Sequence, residues 1–81
     1  MVVGCSSQLG IKESETQILL SDVPPQVLAA ARTALPGIEL SSPELEEENG
    51  DLVFELGGIL DGKEYEIEIS PDGQVLDVEE E

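Results

Sequence analysis

The sequence predicts a two-layer α+β fold, one helix packed on a four-stranded antiparallel meander sheet, and three observations predict it. Apolar and acidic residues alternate through Leu52-Val53-Phe54-Glu55-Leu56 and Glu64-Tyr65-Glu66-Ile67-Glu68-Ile69, the period-two pattern of strands with one greasy and one wet face. Asn49-Gly50, Asp61-Gly62 and Pro71-Asp72-Gly73 punctuate that alternation with residues that accept the positive φ of hairpin turns. Upstream, Val27, Leu28, Ala31, Ala34 and Leu35 recur at three- and four-residue spacing, the period of one amphipathic helix.

Residues 1–14 are small and polar without period, and read as a flexible N-terminal segment ahead of a single domain spanning 15–81. Thr16-Gln17-Ile18-Leu19-Leu20 is short and β-compatible; it either adds a strand or covers one end of the core. The helix is expected to start after Ser21-Asp22, where a side-chain oxygen would cap free N–H groups and Pro24-Pro25 would cost no hydrogen bond. Pro36-Gly37 stops it. Ile38 and Leu40 alternate with Glu39, whereas Leu45 has the opposite parity. A bulge in Ser41-Ser42-Pro43 would return both sets to one face, and its proline marks a bulged or edge strand, here taken as an edge.

With Asp61-Gly62 as a two-residue loop, Leu60 faces Lys63, Gly58 faces Tyr65, Leu56 faces Ile67 and Phe54 faces Ile69. The large apolar side chains then share one face, and Gly58 leaves room for the ring of Tyr65. The loop through Pro71-Asp72-Gly73-Gln74 sets Leu76 against Ile69 and Val78 against Ile67.

At 81 residues the chain has room for one small core, to which every apolar strand position counts. Phe54 and Tyr65 are its only aromatic residues, so that core is aliphatic. Three basic against nineteen acidic residues give a formal charge of −16, which repels nucleic-acid phosphates and anionic headgroups, so no nucleic-acid partner is expected. Histidine is absent and Cys5 is the single cysteine; neither an imidazole base, a Cys-based zinc site nor an internal disulfide can form. No apolar run approaches the ~20 residues that span a bilayer.

The string Val23-Pro24-Pro25-Gln26-Val27-Leu28-Ala29-Ala30-Ala31, then Leu35-Pro36-Gly37, then Asn49-Gly50-Asp51-Leu52-Val53-Phe54-Glu55 resembles the PepSY-like domain family. The tail from Gly62-Lys63-Glu64-Tyr65-Glu66 to Pro71-Asp72-Gly73-Gln74-Val75-Leu76-Asp77-Val78 extends the resemblance, which covers about residues 16–79. Phe54 replaces the family's tyrosine and Gly57-Gly58 lengthen that strand, neither of which threatens the fold. Such domains occur in the propeptides of thermolysin-type metallopeptidases and in bacterial envelope proteins, and the PepSY-like branch is similar to half of the β-lactamase inhibitor protein. The resemblance therefore implies a non-catalytic domain of the periplasm or cell envelope that binds or restrains an enzyme. The matching residues are structural, so no inhibitory residue follows from it. Separately, Val2-Val3-Gly4-Cys5-Ser6-Ser7 resembles the end of a bacterial lipoprotein signal, which makes Cys5 a candidate for lipidation and a lipid anchor the one expected membrane contact. The basic and apolar stretches of such a signal do not precede it here, and an ordinary exposed thiol is the alternative.

Glu55, Glu66, Glu68, Asp77 and Glu79 share the outer face of the expected sheet, with Glu55 opposite Glu68. Paired carboxylates serve as general acid and base when an apolar pocket raises the pKa of one of them. An open face supplies no such pocket, so these five read as a solvated face and as a candidate binding face for a basic partner, with no catalytic residue among them. Asp61-Gly62 and Asp72-Gly73 lack EF-hand spacing and read as turn residues; no metal or cofactor is expected. The function expected is a non-enzymatic protein-binding module whose partner is a peptidase or another envelope protein. The alternative is a structural domain that self-associates as a homodimer through a sheet edge.

Overall fold

The computed structural model describes residues 12–81. Its elements are β1 (Lys12–Gln17), a 3-10 turn (Leu20–Asp22), α1 (Pro25–Ala34), β2 (Glu39–Glu48), β3 (Asp51–Leu60), β4 (Lys63–Ile69) and β5 (Val75–Glu80). The strands pair antiparallel in the order β1-β2-β3-β4-β5. The class is α+β with a meander, as expected, but the sheet has five strands rather than four. The additional strand, β1, sets Glu15 beside Glu46 and Thr16 beside Leu45. Its sequence KESETQ has no apolar alternation, so its pairing rests on main-chain groups that leave no period to read. β1 also makes β2 an interior strand, where an edge was expected, and leaves β1 and β5 at the two edges.

Ile18 follows β1 and is half-buried, its N–H donating to the Pro43 carbonyl at 3.1 Å. The expected cap, Asp22, serves the 3-10 turn instead of α1: the Leu19 N–H donates to Asp22 Oδ2 at 3.2 Å. At α1 the cap position is Pro24, followed by Pro25, and the Pro24 carbonyl accepts from the N–H groups of Val27 (3.0 Å) and Leu28 (3.1 Å). The two prolines suit this start because the first helical turn has no partner for the N–H they lack.

The expected bulge is present in β2. Ser41 pairs with Gly57 and Glu44 with Glu55, so Ser42 and Pro43 together oppose one residue of β3, and Leu40 and Leu45 share a face. Both following hairpins turn on two residues of positive φ, Asn49 (52°) with Gly50 (87°) and Asp61 (54°) with Gly62 (80°), the geometry that matches strand twist. The β3–β4 register runs from Phe54↔Ile69 to Leu60↔Lys63 as deduced. Gly58 is also approached closely from the β2 side: a Cβ there would lie 2.7 Å from the Glu39 carbonyl oxygen and 2.8 Å from the Ile38 side chain.

Between β4 and β5, Val78 opposes Ile67 as expected, but Val75 takes the place opposite Ile69 that Leu76 was to fill. The Ser70 N–H donates to the Gln74 carbonyl at 2.8 Å, closing the loop one residue tighter than the ladder beyond it, and Leu76 bulges to absorb the difference. The core lies between the layers, where Val23, Val27 and Ala31 pack with Ile38 on Phe54, Leu56, Ile67 and Ile69.

Candidate functional site

The face of the sheet turned away from α1 is lined by carboxylates. Glu44, Glu55, Glu68 and Asp77 are successive cross-strand partners from β2 to β5; Glu66 stands beside Glu79 and Glu15 beside Glu46. All five residues singled out from the sequence, Glu55, Glu66, Glu68, Asp77 and Glu79, fall on this face. Like charges directly opposite one another repel, so such a ladder persists only if protons or hydrogen bonds relieve it.

The centre of the face is not solvated as expected. Glu55 is 6% exposed, Glu46 is 0% exposed, and Val53 on the same face is 5% exposed. Glu55 and Glu46 lie on interior strands with a paired strand on each side, and β1 completes that arrangement by adding Glu15 alongside Glu46. The surroundings push the Glu55 pKa up to about 10: burial contributes most, followed by hydrogen bonds to Glu46 and Glu66 and by the negative charge of both. At neutral pH Glu55 is therefore a neutral acid that donates a hydrogen bond to a neighbouring carboxylate. Toward the edge, a hydrogen bond with Asp77 and the Asp77 charge raise the Glu79 pKa, and the charge of Glu66 foremost raises that of Glu81.

Sequence reasoning missed Glu46, the most buried acid of the described chain. Its parity relative to Leu45, with the bulge in place, was the available signal. Glu15 had none, because the one β-compatible stretch nearby, Thr16 to Leu20, overlaps β1 only at Thr16 and Gln17. Two carboxylate triplets, Glu15-Glu44-Glu46 and Glu46-Glu48-Glu68, bring oxygens within 4.8 Å of one another. All-oxygen sets of this kind suit hard cations, yet crowded acids on an acidic sheet are not by themselves a metal site. The turn residues Asp61 and Asp72 belong to neither triplet; the Asp72 carboxylate accepts from the Ser70 hydroxyl. Cys5 lies outside the described residues.

One further surface adjoins this face. β5 is exposed along its whole length, with Val75, Leu76 and Val78 each at least 40% exposed. Among the described residues no helix is long and apolar enough to cross a membrane.

Comparison with known proteins adds one finding. The family model PepSY, described as peptidase propeptide and YPEB domain, matches residues 25–79. No curated protein and no solved structure matches. The matched stretch takes in α1, β2, β3, β4 and nearly all of β5, the helix-and-four-strand unit expected from the sequence, and it leaves β1 outside. It covers well over half of the chain, and this protein accordingly belongs to the PepSY domain family.

Proposed function

We propose that this domain is a non-catalytic protein-binding module that restrains or regulates a peptidase or another enzyme of the bacterial envelope. The observation that supports it is the family match across α1 and the following strands, under a description that names peptidase propeptides. The chemistry of the outer face agrees with binding better than with catalysis. The buried carboxyl of Glu55 keeps its proton to about pH 10, far above the range in which an acid must exchange protons to turn over at neutral pH. The envelope location rests on the family likeness, and Cys5 is the candidate point of lipid attachment. Titrating the intact domain into a panel of metallopeptidases tests the reading: slowed hydrolysis of a reporter substrate, with the domain itself left uncleaved, is the expected result. If no peptidase is slowed and no envelope protein is retained on the immobilised domain, the reading fails.

Self-association is favoured by one observation, the exposed edge of β5. Against it stands the charge: two copies at −16 each would bring Asp77, Glu79 and Glu80 of both edges together. Sedimentation at several concentrations separates the readings, and a monomer throughout removes the second.

A further inference from the structure

The exposed edge of β5 and the neighbouring side of α1 form one surface. Among the described residues β5 pairs only with β4. The Glu81 N–H donates inward to the Glu64 carbonyl at 2.8 Å, and Glu66↔Glu79 and Glu68↔Asp77 continue that ladder. Main-chain groups alternate in direction along an antiparallel strand, so those of Val78 and Glu80 point away from the sheet, toward the open edge. Past the Leu76 bulge, Asp77 to Glu80 form a regular edge with free donors and acceptors.

Beside it runs a groove of about 370 Å³ between α1 and the start of β5, lined on the helix side by Gln26, Ala29, Ala30, Thr33 and Ala34 and on the other by Asp72, Gly73 and Val75. The helical residues recur at i, i+3, i+4, i+7 and i+8, a stripe next to the one that carries Val27 and Ala31 into the core. Their short side chains leave the sheet edge uncovered by the helix. A strand added alongside β5 would thus meet Val78 and this groove on its helix-facing side, with Asp72 beside the groove and Glu80 at the far end. On its other side it would meet Asp77 and Glu79, with Glu66 and Glu68 in the next strand.

We propose that this edge binds an extended segment of a protein partner by strand addition, the segment alternating apolar and basic side chains. The proposal rests on the reading of the domain as a protein-binding module and names the chemistry of its partner. The apolar side chains lie in the groove under α1, the lysine or arginine side chains reach Asp77 and Glu79, and main-chain hydrogen bonds to Val78 and Glu80 hold the register. Charge selects the occupant: the acidic ladder that attracts a basic strand repels a second copy of this chain, so the same residues serve affinity for one partner and rejection of the other.

The test uses the full chain and a labelled octapeptide of alternating valine and lysine, followed by fluorescence anisotropy. Three controls accompany it: the valine–glutamate peptide, the valine–lysine peptide N-methylated on alternate amides, and the protein variant D77N/E79Q. Saturable binding of the first peptide is expected, weakened about tenfold or more by N-methylation and by the double variant, and weakened by added salt. The glutamate peptide is expected not to bind. Equal binding of the methylated peptide overturns strand addition, and binding of both peptides alike overturns the selection by charge. Absence of any peptide binding, in a domain that still slows a peptidase or retains an envelope protein, overturns the edge proposal and leaves the binding module standing. Circular dichroism and the melting temperature of D77N/E79Q show that its loss of binding is not a loss of fold.

Discussion

Glu55 and Glu46, diagonal neighbours on the interior strands β3 and β2, bring together two carboxyl groups that are both almost wholly withdrawn from solvent. Such a pair favours a proton, since burial and the neighbouring negative charge both hold the Glu55 carboxyl in its neutral form. It makes the centre of an otherwise acidic sheet a proton-dependent element of the fold, and it sets the direction of the domain's response to pH.

The Glu55 pKa is raised from 4.5 to about 10 on folding, so its contribution to stability is fully present below pH 4.5 and is lost as pH rises through about 10. Between those values only the folded state holds the proton, and the linkage lowers stability as pH rises. Denaturant unfolding is expected to give a midpoint that falls steadily from pH 5 to pH 9. E55Q, whose amide donates the same hydrogen bond without titrating, is expected to flatten that slope. An unchanged slope in E55Q would show that the proton resides elsewhere in the ladder.

Phe54 stands opposite Leu45 and Ile69 and is 8% exposed, at the centre of an aliphatic core with few large side chains to spare. F54A is expected to cost about 3–5 kcal/mol, a large part of the stability of so small a domain. Far- and near-ultraviolet circular dichroism should show a largely unfolded chain at 37 °C. A folded F54A that merely loses a partner would place the ring in an interface instead.

Gly58 is required by a close approach of β2. A Cβ at this position would meet the Glu39 carbonyl oxygen at 2.7 Å, and a main-chain atom in a paired strand has nowhere to retreat. G58A is expected to destabilise by about 1–3 kcal/mol, whereas G57A, whose Cβ would find its nearest neighbours at 3.6 Å, should cost less. Thermal melts of the two variants side by side decide it; equal effects would mean that strand propensity, not packing, governs this segment.

With three basic residues against nineteen acidic ones, the folded chain is under self-repulsion that screening relieves. Raising sodium chloride from low to physiological concentration at pH 7 is expected to raise the melting temperature. A flat or falling profile would mean that protons shared within the ladder already neutralise most of the repulsion.

The elements legible in the sequence are those whose local chemistry admits one solution. Asn49-Gly50 and Asp61-Gly62 accept the positive φ that two-residue hairpins need, and a one-residue slip between β3 and β4 would have turned Phe54, Leu56, Ile67 and Ile69 out of the core. The bulge at Ser42–Pro43 followed from the parity of Leu40 and Leu45 in the same way. The PepSY likeness rested on these same segments, and the family match falls on them.

Three features were decided only by the tertiary structure, each because it depends on groups the sequence pattern does not encode. β1 is held by main-chain pairing to β2 and has no apolar period. The Leu76 bulge arises from a mismatch between the Ser70–Gln74 closure and the ladder beyond it. The burial of Glu46 and Glu55 depends on having a paired strand on both sides, so a face that alternation alone presents as wet holds, at its centre, a buried neutral acid. Local alternation determined which side chains share a face; how many strands stand beside them determined which of those side chains water can reach.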